Sequence, residues 1–242
     1  MHLAHADLTI GMGHYYKVRL AAYVSWQQWL AWFENSLWWD DMEVTEIRDI
    51  DKKRKKIYID GEFAFVLYSG EIRDYKIKIG QELPETIYDE IMGIVLPKRA
   101  KLRAMNLLQK RDYTEKQLRD KLSDGDYPRE LIDEAIDYVK SYKYLDDERY
   151  ARDYITYHMA LRSKNRIIQD LTGKGISKDV YEDILDELYS EDSDAEIEQI
   201  KALLVKKHYD PETASYEDKQ KIMAFLMRKG YQMSDIKKAM NN

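Results

Sequence analysis

The residues of this chain best suited to chemistry are basic side chains on one predicted helix. The segment from Lys98 to Arg111 contains no acid and carries these bases: Lys98, Arg99, Lys101, Arg103, Lys110 and Arg111. An apolar stripe of Ala100, Ala104 and Leu107 would occupy the opposite side of such a helix. The basic face could neutralise phosphates or meet an acidic protein surface. The alternative is an ordinary solvated helix face.

A second basic group lies further along the chain. It comprises Arg162, Lys164, Arg166, Lys174 and Lys178. If the helical modules described below stack, both groups could line one concave side. The predicted partner-binding residues are therefore Lys98, Arg99, Lys101, Arg103, Lys110, Arg111, Arg149, Arg162, Lys164, Arg166 and Lys174.

Catalytic patterns are missing from the sequence. The segment Gly173-Lys174-Gly175 lacks both the earlier Gly and the following Ser or Thr of a P-loop, and its Gly residues are typical of a helix C-terminus. His158 and His208 have no nucleophile pattern nearby. We therefore expect no enzymatic activity, no catalytic residue and no cofactor.

Histidines near the N-terminus form the one candidate metal cluster of the sequence. His2, His5, Asp7 and His14 could in principle hold a metal ion. Terminal His clusters of this kind bind metals adventitiously, so we expect no native metal site.

Charge and composition favour a helical protein. The chain has 242 residues, a net charge of -6 and no Cys, which excludes disulfides and thiolate metal sites. The negative charge is concentrated in 179–198, which contains acids and no base. No apolar stretch reaches the ~18 residues of a membrane span. We expect a cytoplasmic monomer that contacts no membrane.

Residues 1–41 differ from the rest of the chain. All five Trp residues lie there, and Trp26, Trp29, Leu30 and Phe33 keep helical spacing. The segment could be an amphipathic partner-binding helix. We favour a Trp-rich leader that is not part of the native fold, with the functional chain beginning at Met42.

The next segment, 43–80, predicts β structure. Strands are expected at 44–50, 57–59 and 63–67, with Lys52–Lys56 as a turn or strand end and Asp60-Gly61 as a hairpin turn. Ile77 and Ile79 alternate with lysines as in a further strand. Pro84 then suits the first turn of a helix, and Pro97 predicts a boundary or kink near Leu96.

A three-helix module recurs after Pro97. Its apolar marks keep one register in three sets: Leu122, Tyr127, Ile132, Ile136; Leu171, Ile176, Tyr181, Leu185; and Leu226, Tyr231, Ile236, Met240. Gly175 and Gly230 precede equivalent marks. Thr114 with Gln117 predicts a capping box, and Asp146, Ser177 and Ser234 predict further helix starts. Repeats of this kind build surfaces for partners.

The predicted fold is mainly α, with three tandem three-helix modules in an elongated arrangement after a small β-rich subdomain. The expected divisions are a leader (1–41), a β-hairpin or sheet subdomain (42–83), a connecting helix (84–97) and modules 1 (98–144), 2 (145–190) and 3 (191–242).

Three passages of the sequence resemble the RecX family of recombinase regulators. They are the segment 104–122 with its Lys110-Arg111-Asp112-Tyr113-Thr114 motif, the segment 144–151 beginning Tyr144-Leu145-Asp146-Asp147, and the segment 167–176 ending Gly173-Lys174-Gly175-Ile176. The resemblance covers roughly 43–242. The acidic net charge and the acidic stretch before module 3 depart from many relatives, and this argues against strong independent DNA binding.

This resemblance implies a function that spacing alone does not give. Members of the family bind the RecA recombinase filament on single-stranded DNA, lie in its groove and lower ATP hydrolysis and strand exchange. They are not enzymes. Two alternatives stay open from the residues themselves: a duplex DNA-binding regulator of helix-turn-helix type, and a helical scaffold for other proteins.

Overall fold

The computed structural model describes residues 42–190 and 195–241, which divide after Lys98 into two compact units. The predicted leader and its Trp-rich helix lie outside the described residues. Within the described part of the chain, no helix is long and apolar enough to cross a bilayer.

The first unit is built on an antiparallel sheet of order β1-β2-β3, with β1 at Val44–Asp49, β2 at Arg54–Ile59 and β3 at Glu62–Tyr68. The predicted hairpin turn is confirmed, since Asp60 and Gly61 both have positive φ (51° and 84°). Ile57, Phe65 and Leu67 are fully buried and form the core of this sheet.

The run Lys52–Lys56, predicted as a turn or strand end, contains both. Lys52 and Lys53 lie in the turn between β1 and β2, and Arg54–Lys56 begins β2 and pairs with β3. The Asp51 carboxylate ends the turn early because it accepts the backbone N–H groups of Lys53 and Arg54 (both 2.8 Å). These bonds and the Arg54 guanidinium lower the pKa of Asp51 to about 2.

The further strand expected around Ile77 is absent from the first unit. A short helix, α1 (Ser69–Asp74), follows β3 directly, and the N–H of Ile77 donates to the carbonyl of Ile72 (2.9 Å) as that helix ends. Antiparallel pairing occurs a few residues later, at the bridge between Glu43 and Glu82, beside which the N–H of Leu83 donates to the Met42 carbonyl (2.8 Å). Alternating apolar residues predicted a strand, but local helix-end hydrogen bonds take these backbone groups.

Helix α2 (Glu85–Glu90) passes through a π-helical turn (Ile91–Val95) into α3 (Leu96–Leu108). The N–H of Leu96 donates to the carbonyl of Ile91, five residues back. Pro97 has no N–H to donate, and its ring clashes with the preceding turn of a regular α-helix, which is where the π turn lies. The irregularity predicted near Leu96 is thus a π turn.

The second unit contains the helices of three modules. Module 1 continues from α3 with α4 (Glu115–Ser123) and α5 (Arg129–Ser141). Module 2 comprises α6 (Asp147–His158), α7 (Lys164–Gly173) and α8 (Lys178–Ser190). Module 3 comprises α9 (Ala195–Lys206), α10 (Tyr216–Arg228) and α11 (Met233–Asn241). The predicted mainly α fold with a small N-terminal sheet is confirmed.

Each module buries the leucine that opens its set of apolar marks. Leu122, Leu171 and Leu226 are all fully buried, each in the core of its own module. Burial of one such leucine contributes roughly 1.5–3 kcal/mol. The common register therefore encodes three separate small cores.

Helix starts follow the predicted caps with one exception. Thr114 and Gln117 form the expected capping box, and the Asp146 side chain accepts the N–H of Arg149 (2.9 Å). Ser234 lies inside α11, which begins one residue earlier, so its role as a cap was wrong. Its hydroxyl contacts the neighbouring Asp235 instead (3.3 Å).

Candidate partner-binding surface and module joints

The basic face of α3 belongs to a helix whose other side is anchored in the core. Ala100 and Ala104 are fully buried, while Arg103 is exposed and forms no ion pair with any described residue. Lys101 is held by Glu134 of α5 (Nζ to Oε1, 2.7 Å). This face therefore presents less free charge than its composition predicts.

Cations without an ion pair to any described residue lie instead just after the end of α3. Lys110 and Arg111 are exposed, and within the described residues neither forms an ion pair. The Arg111 guanidinium lies 4.3 Å from the ring centre of Tyr113, which is nearly buried. This cation–π contact orients the guanidinium while leaving its N–H groups available to an anion. Of the other predicted residues here, Lys98 is exposed in the first unit and Arg99 is partly exposed at the start of the second.

Two further predicted residues lie near tyrosines of α6. The Lys174 ammonium is 5.1 Å from the ring centre of Tyr154 and 5.7 Å from that of Tyr150. Arg149 is exposed, and its guanidinium donates to the carbonyl of Lys143 (3.3 Å). Neither cation is neutralised by a described carboxylate.

The remaining members of the second basic group are paired with carboxylates. Arg162 and Arg166 both bind Asp170, with N to O distances of 2.6 and 3.2 Å. Lys164 binds Asp186 of α8 (3.0 Å). Periodicity alone could not show the pair of Lys164 and Asp186, because Asp186 is brought to Lys164 only by the packing of α8 near the start of α7.

The joints between modules carry a repeated set of hydrogen bonds that the sequence reasoning missed. At the joint of modules 1 and 2, the Thr114 hydroxyl donates to the Lys174 carbonyl (2.6 Å), and the N–H of Glu115 donates to Asp147 (2.8 Å). The helix α4 therefore begins against two groups of the following module.

The joint of modules 2 and 3 repeats this arrangement with different residues. The Ser163 hydroxyl donates to the Lys229 carbonyl (2.8 Å), and the N–H of Lys164 donates to Glu196 (2.8 Å). Each joint thus pairs a capping hydroxyl and a helix N-terminus of one module with a carbonyl and a carboxylate of the next. The sequence signal for it is a Ser or Thr cap and an acid at equivalent positions of successive repeats.

Burial shifts the pKa values of the acids at these joints. Burial raises the pKa of Asp147 and of Glu196, although the backbone N–H that each accepts opposes the shift. A negative charge at a helix N-terminus is favourable, but here the carboxylate gives up much of its water to reach it.

Glycine makes the close approach at each joint possible. Gly175 and Gly230 have φ of 84° and 93°, a conformation that L-residues adopt at a cost. A Cβ on Gly230 would lie 2.6 Å from the Ser163 hydroxyl oxygen, and a Cβ on Gly175 would lie 2.4 Å from Lys116 Cβ. The glycines that precede equivalent marks in the sequence therefore let each module contact the preceding one.

No group of acids and histidines within the described residues is arranged to hold a metal ion. The predicted cluster of His2, His5, Asp7 and His14 lies outside them. His158 is partly buried, and burial lowers the pKa of its imidazole.

Capped joints between three-helix modules, with cations displayed on the module surfaces, define a tandem helical-repeat protein. Family models described as the first, second and third three-helix domains of RecX match 100–138, 146–185 and 194–240. The chain belongs to the RecX family.

Curated relatives extend this match over most of the chain. The "Regulatory protein RecX" of Caldanaerobacter subterraneus subsp. tengcongensis is 32% identical over 202 residues, which cover 83% of this chain and 99% of the relative. The protein of the same name from Clostridium tetani is 33% identical over 204 residues, covering 81% and 91%.

Solved structures share the fold. One, titled "Crystal structure of regulatory protein RecX", superposes with a TM-score of 0.57 at 24% identity and covers 83% of this chain and 99% of its own. The structure of RecX from Lactobacillus salivarius gives a TM-score of 0.53 at 24% identity, covering 61% and 96%.

Proposed function

We propose that this protein is a non-enzymatic regulator that binds RecA filaments on single-stranded DNA and lowers their ATP hydrolysis and strand exchange. It would act in the cytoplasm during DNA repair and recombination. Membership of the RecX family supports the regulatory role. The free cations at the end of α3 supply the observation that carries the proposed contact.

These cations suit a filament because its surface combines protein with phosphate. Lys110 and Arg111 are exposed at the end of a helix whose buried side is fixed by Ala100 and Ala104. A rigid support lowers the entropy lost when such side chains bind. Arg149 and Lys174 add two cations in module 2 that no described carboxylate neutralises.

We assign the basic residues that already pair with carboxylates a smaller part in binding the filament. Arg162 and Arg166 share Asp170, and Lys164 is bound to Asp186. A partner would have to displace these acids before it gained the full attraction. We therefore rank Arg103, Lys110, Arg111, Arg149 and Lys174 above the rest of the predicted set.

The decisive experiment is a titration of the ATPase activity of RecA on single-stranded DNA with the full chain. The proposal expects suppression at substoichiometric regulator. The triple variant Arg103→Glu, Lys110→Glu, Arg111→Glu should require at least about tenfold more protein, since each lost phosphate contact weakens binding and lowers its salt dependence.

A matched triple variant controls for net charge. Lys219→Glu, Lys237→Glu and Lys238→Glu change the charge equally on module 3, and this variant should inhibit like the unaltered protein. Equal inhibition by both triple variants would refute the proposed surface. No suppression by the unaltered protein would refute the function, and sequence-specific binding to a duplex would favour the helix-turn-helix alternative.

A further inference from the structure

One feature that the proposed function does not use is a groove of about 990 Å³ at the joint of modules 2 and 3. One wall comes from the segment after α6 and the start of α7, and the other from α9 and the end of α10. Pockets for small ligands span roughly 300–1,000 Å³. The groove thus has room for a peptide of a few residues.

The groove is strongly basic. Among the described residues its lining includes Arg162, Arg166, Lys206, Arg228 and Lys229, and one acid, Glu198. Glu198 is itself bound by Lys201 (3.0 Å). Lys206 and Arg228 are exposed and form no ion pair with the described residues, and Arg162 and Arg166 share one carboxylate. Several positive charges are therefore left for an occupant.

One side of the groove is apolar. Met159, Ala160 and Leu161 face Ala202 and Leu203, and 72% of the Leu161 surface is exposed. A leucine this exposed beside unpaired cations is suited to a partner that supplies both an apolar side chain and negative charge.

The lining offers no platform for nucleic acid bases. Its aromatic ring, Tyr231, is only 6% exposed, and its hydroxyl is bonded to Gln199 (3.0 Å). Single-stranded nucleic acids bind proteins by combining basic grooves with exposed aromatic side chains on which bases stack. The apolar side of this groove has aliphatic residues instead.

We infer that this groove binds an extended acidic peptide segment of a partner protein, with an aliphatic side chain seated on Leu161. Carboxylates of the segment would meet Lys206 and Arg228, which end α9 and α10. Module 3 would thereby make a contact of its own, distinct from the cations at the end of α3.

Fluorescence anisotropy with labelled synthetic peptides tests this inference without recombinase or DNA. A peptide of Glu and Asp with one central Leu should bind the full chain, and the same peptide with Ser at that position should bind about tenfold more weakly, as expected for one buried leucine. Because neither RecA nor DNA is present, failure here leaves the proposed function standing.

Matched variants locate the site. Arg228→Glu and, separately, Lys206→Glu should each weaken the Leu-bearing peptide about tenfold, whereas Lys237→Glu on the exposed side of α11 should change its affinity less than about twofold. Leu161→Ser should weaken the Leu-bearing peptide and leave the Ser-bearing peptide unchanged. Circular dichroism of each variant confirms that the fold is retained.

Three results would overturn the inference. The unaltered protein could fail to bind the Leu-bearing peptide. Lys237→Glu could weaken binding as much as Arg228→Glu, which would indicate attraction by net charge alone. A single-stranded oligonucleotide could bind in a way that depends on Arg228 and is unaffected by Leu161→Ser, which would assign the groove to nucleic acid.

Discussion

Gly175 offers the most direct test of how the modules are joined. The N–H of Gly175 donates to Thr172 (2.9 Å) and that of Ile176 to Leu171 (3.1 Å), the pattern of a helix end closed by a left-handed residue. Replacement of Gly175 by Ala keeps these bonds only in a strained backbone, since φ is 84°. The added methyl also meets the preceding module.

The size of the effect can be worked from two contributions. A left-handed conformation costs an L-residue about 1–2 kcal/mol. The new Cβ would lie 2.3 Å from Lys116 Cδ and 2.4 Å from Lys116 Cβ, so the joint must open, and such overpacking costs about 1–3 kcal/mol. We expect Gly175→Ala to lower the free energy of unfolding by about 2–5 kcal/mol.

Substitutions at two other glycines separate these contributions. The free energy of unfolding of each variant is measured by urea denaturation followed by circular dichroism. Gly173→Ala, two residues away, introduces a Cβ into open space at ordinary φ and should be neutral or stabilise by up to about 1 kcal/mol. Gly61 also has φ of 84°, but a Cβ there would meet no atom within 4 Å. Gly61→Ala therefore isolates the backbone contribution within the first unit. A loss for Gly175→Ala no larger than that for Gly61→Ala would refute the close approach of the modules.

Other outcomes are expected at the same joints. Ser163 is 1% exposed, and its hydroxyl accepts the N–H of Arg166 and donates to the Lys229 carbonyl. Ser163→Ala should therefore lower the free energy of unfolding in urea by about 1–3 kcal/mol. A loss no greater than that of Ser234→Ala would contradict this role. Burial raises the pKa of Asp147 above its unfolded value of about 4. The stability that Asp147 contributes is therefore fully present below about pH 4 and is lost as the pH rises through the folded pKa. Asp147→Asn should therefore lose less stability than the unaltered protein as the pH rises above about 4. A pH profile parallel to that of the unaltered protein would show that Asp147 is not the group responsible. Thr114→Val should leave the Lys174 carbonyl without its donor and cost about 1–3 kcal/mol, and a melting temperature unchanged from that of the unaltered protein would argue against this bond.

Local signals in the sequence predicted much of the fold. Apolar marks at helical spacing identified Leu122, Leu171 and Leu226, which are buried in their modules, and Asp60-Gly61 identified the hairpin. These signals succeed because the amphipathic period and the turn conformation depend on neighbouring residues. Where neighbours competed, as at Ile77, the helix end outweighed the alternating pattern.

The sequence by itself determined the three helical modules, caps such as Thr114 and Asp146, and the position of each basic residue along the chain. Only the tertiary structure decided which of those bases remain free, because Asp186 reaches Lys164, and Glu134 reaches Lys101, through packing between helices that are separated in the chain. It also decided the joints, in which Ser163 meets Lys229 and Thr114 meets Lys174. Such contacts depend on how modules dock, and no local period or propensity records that arrangement.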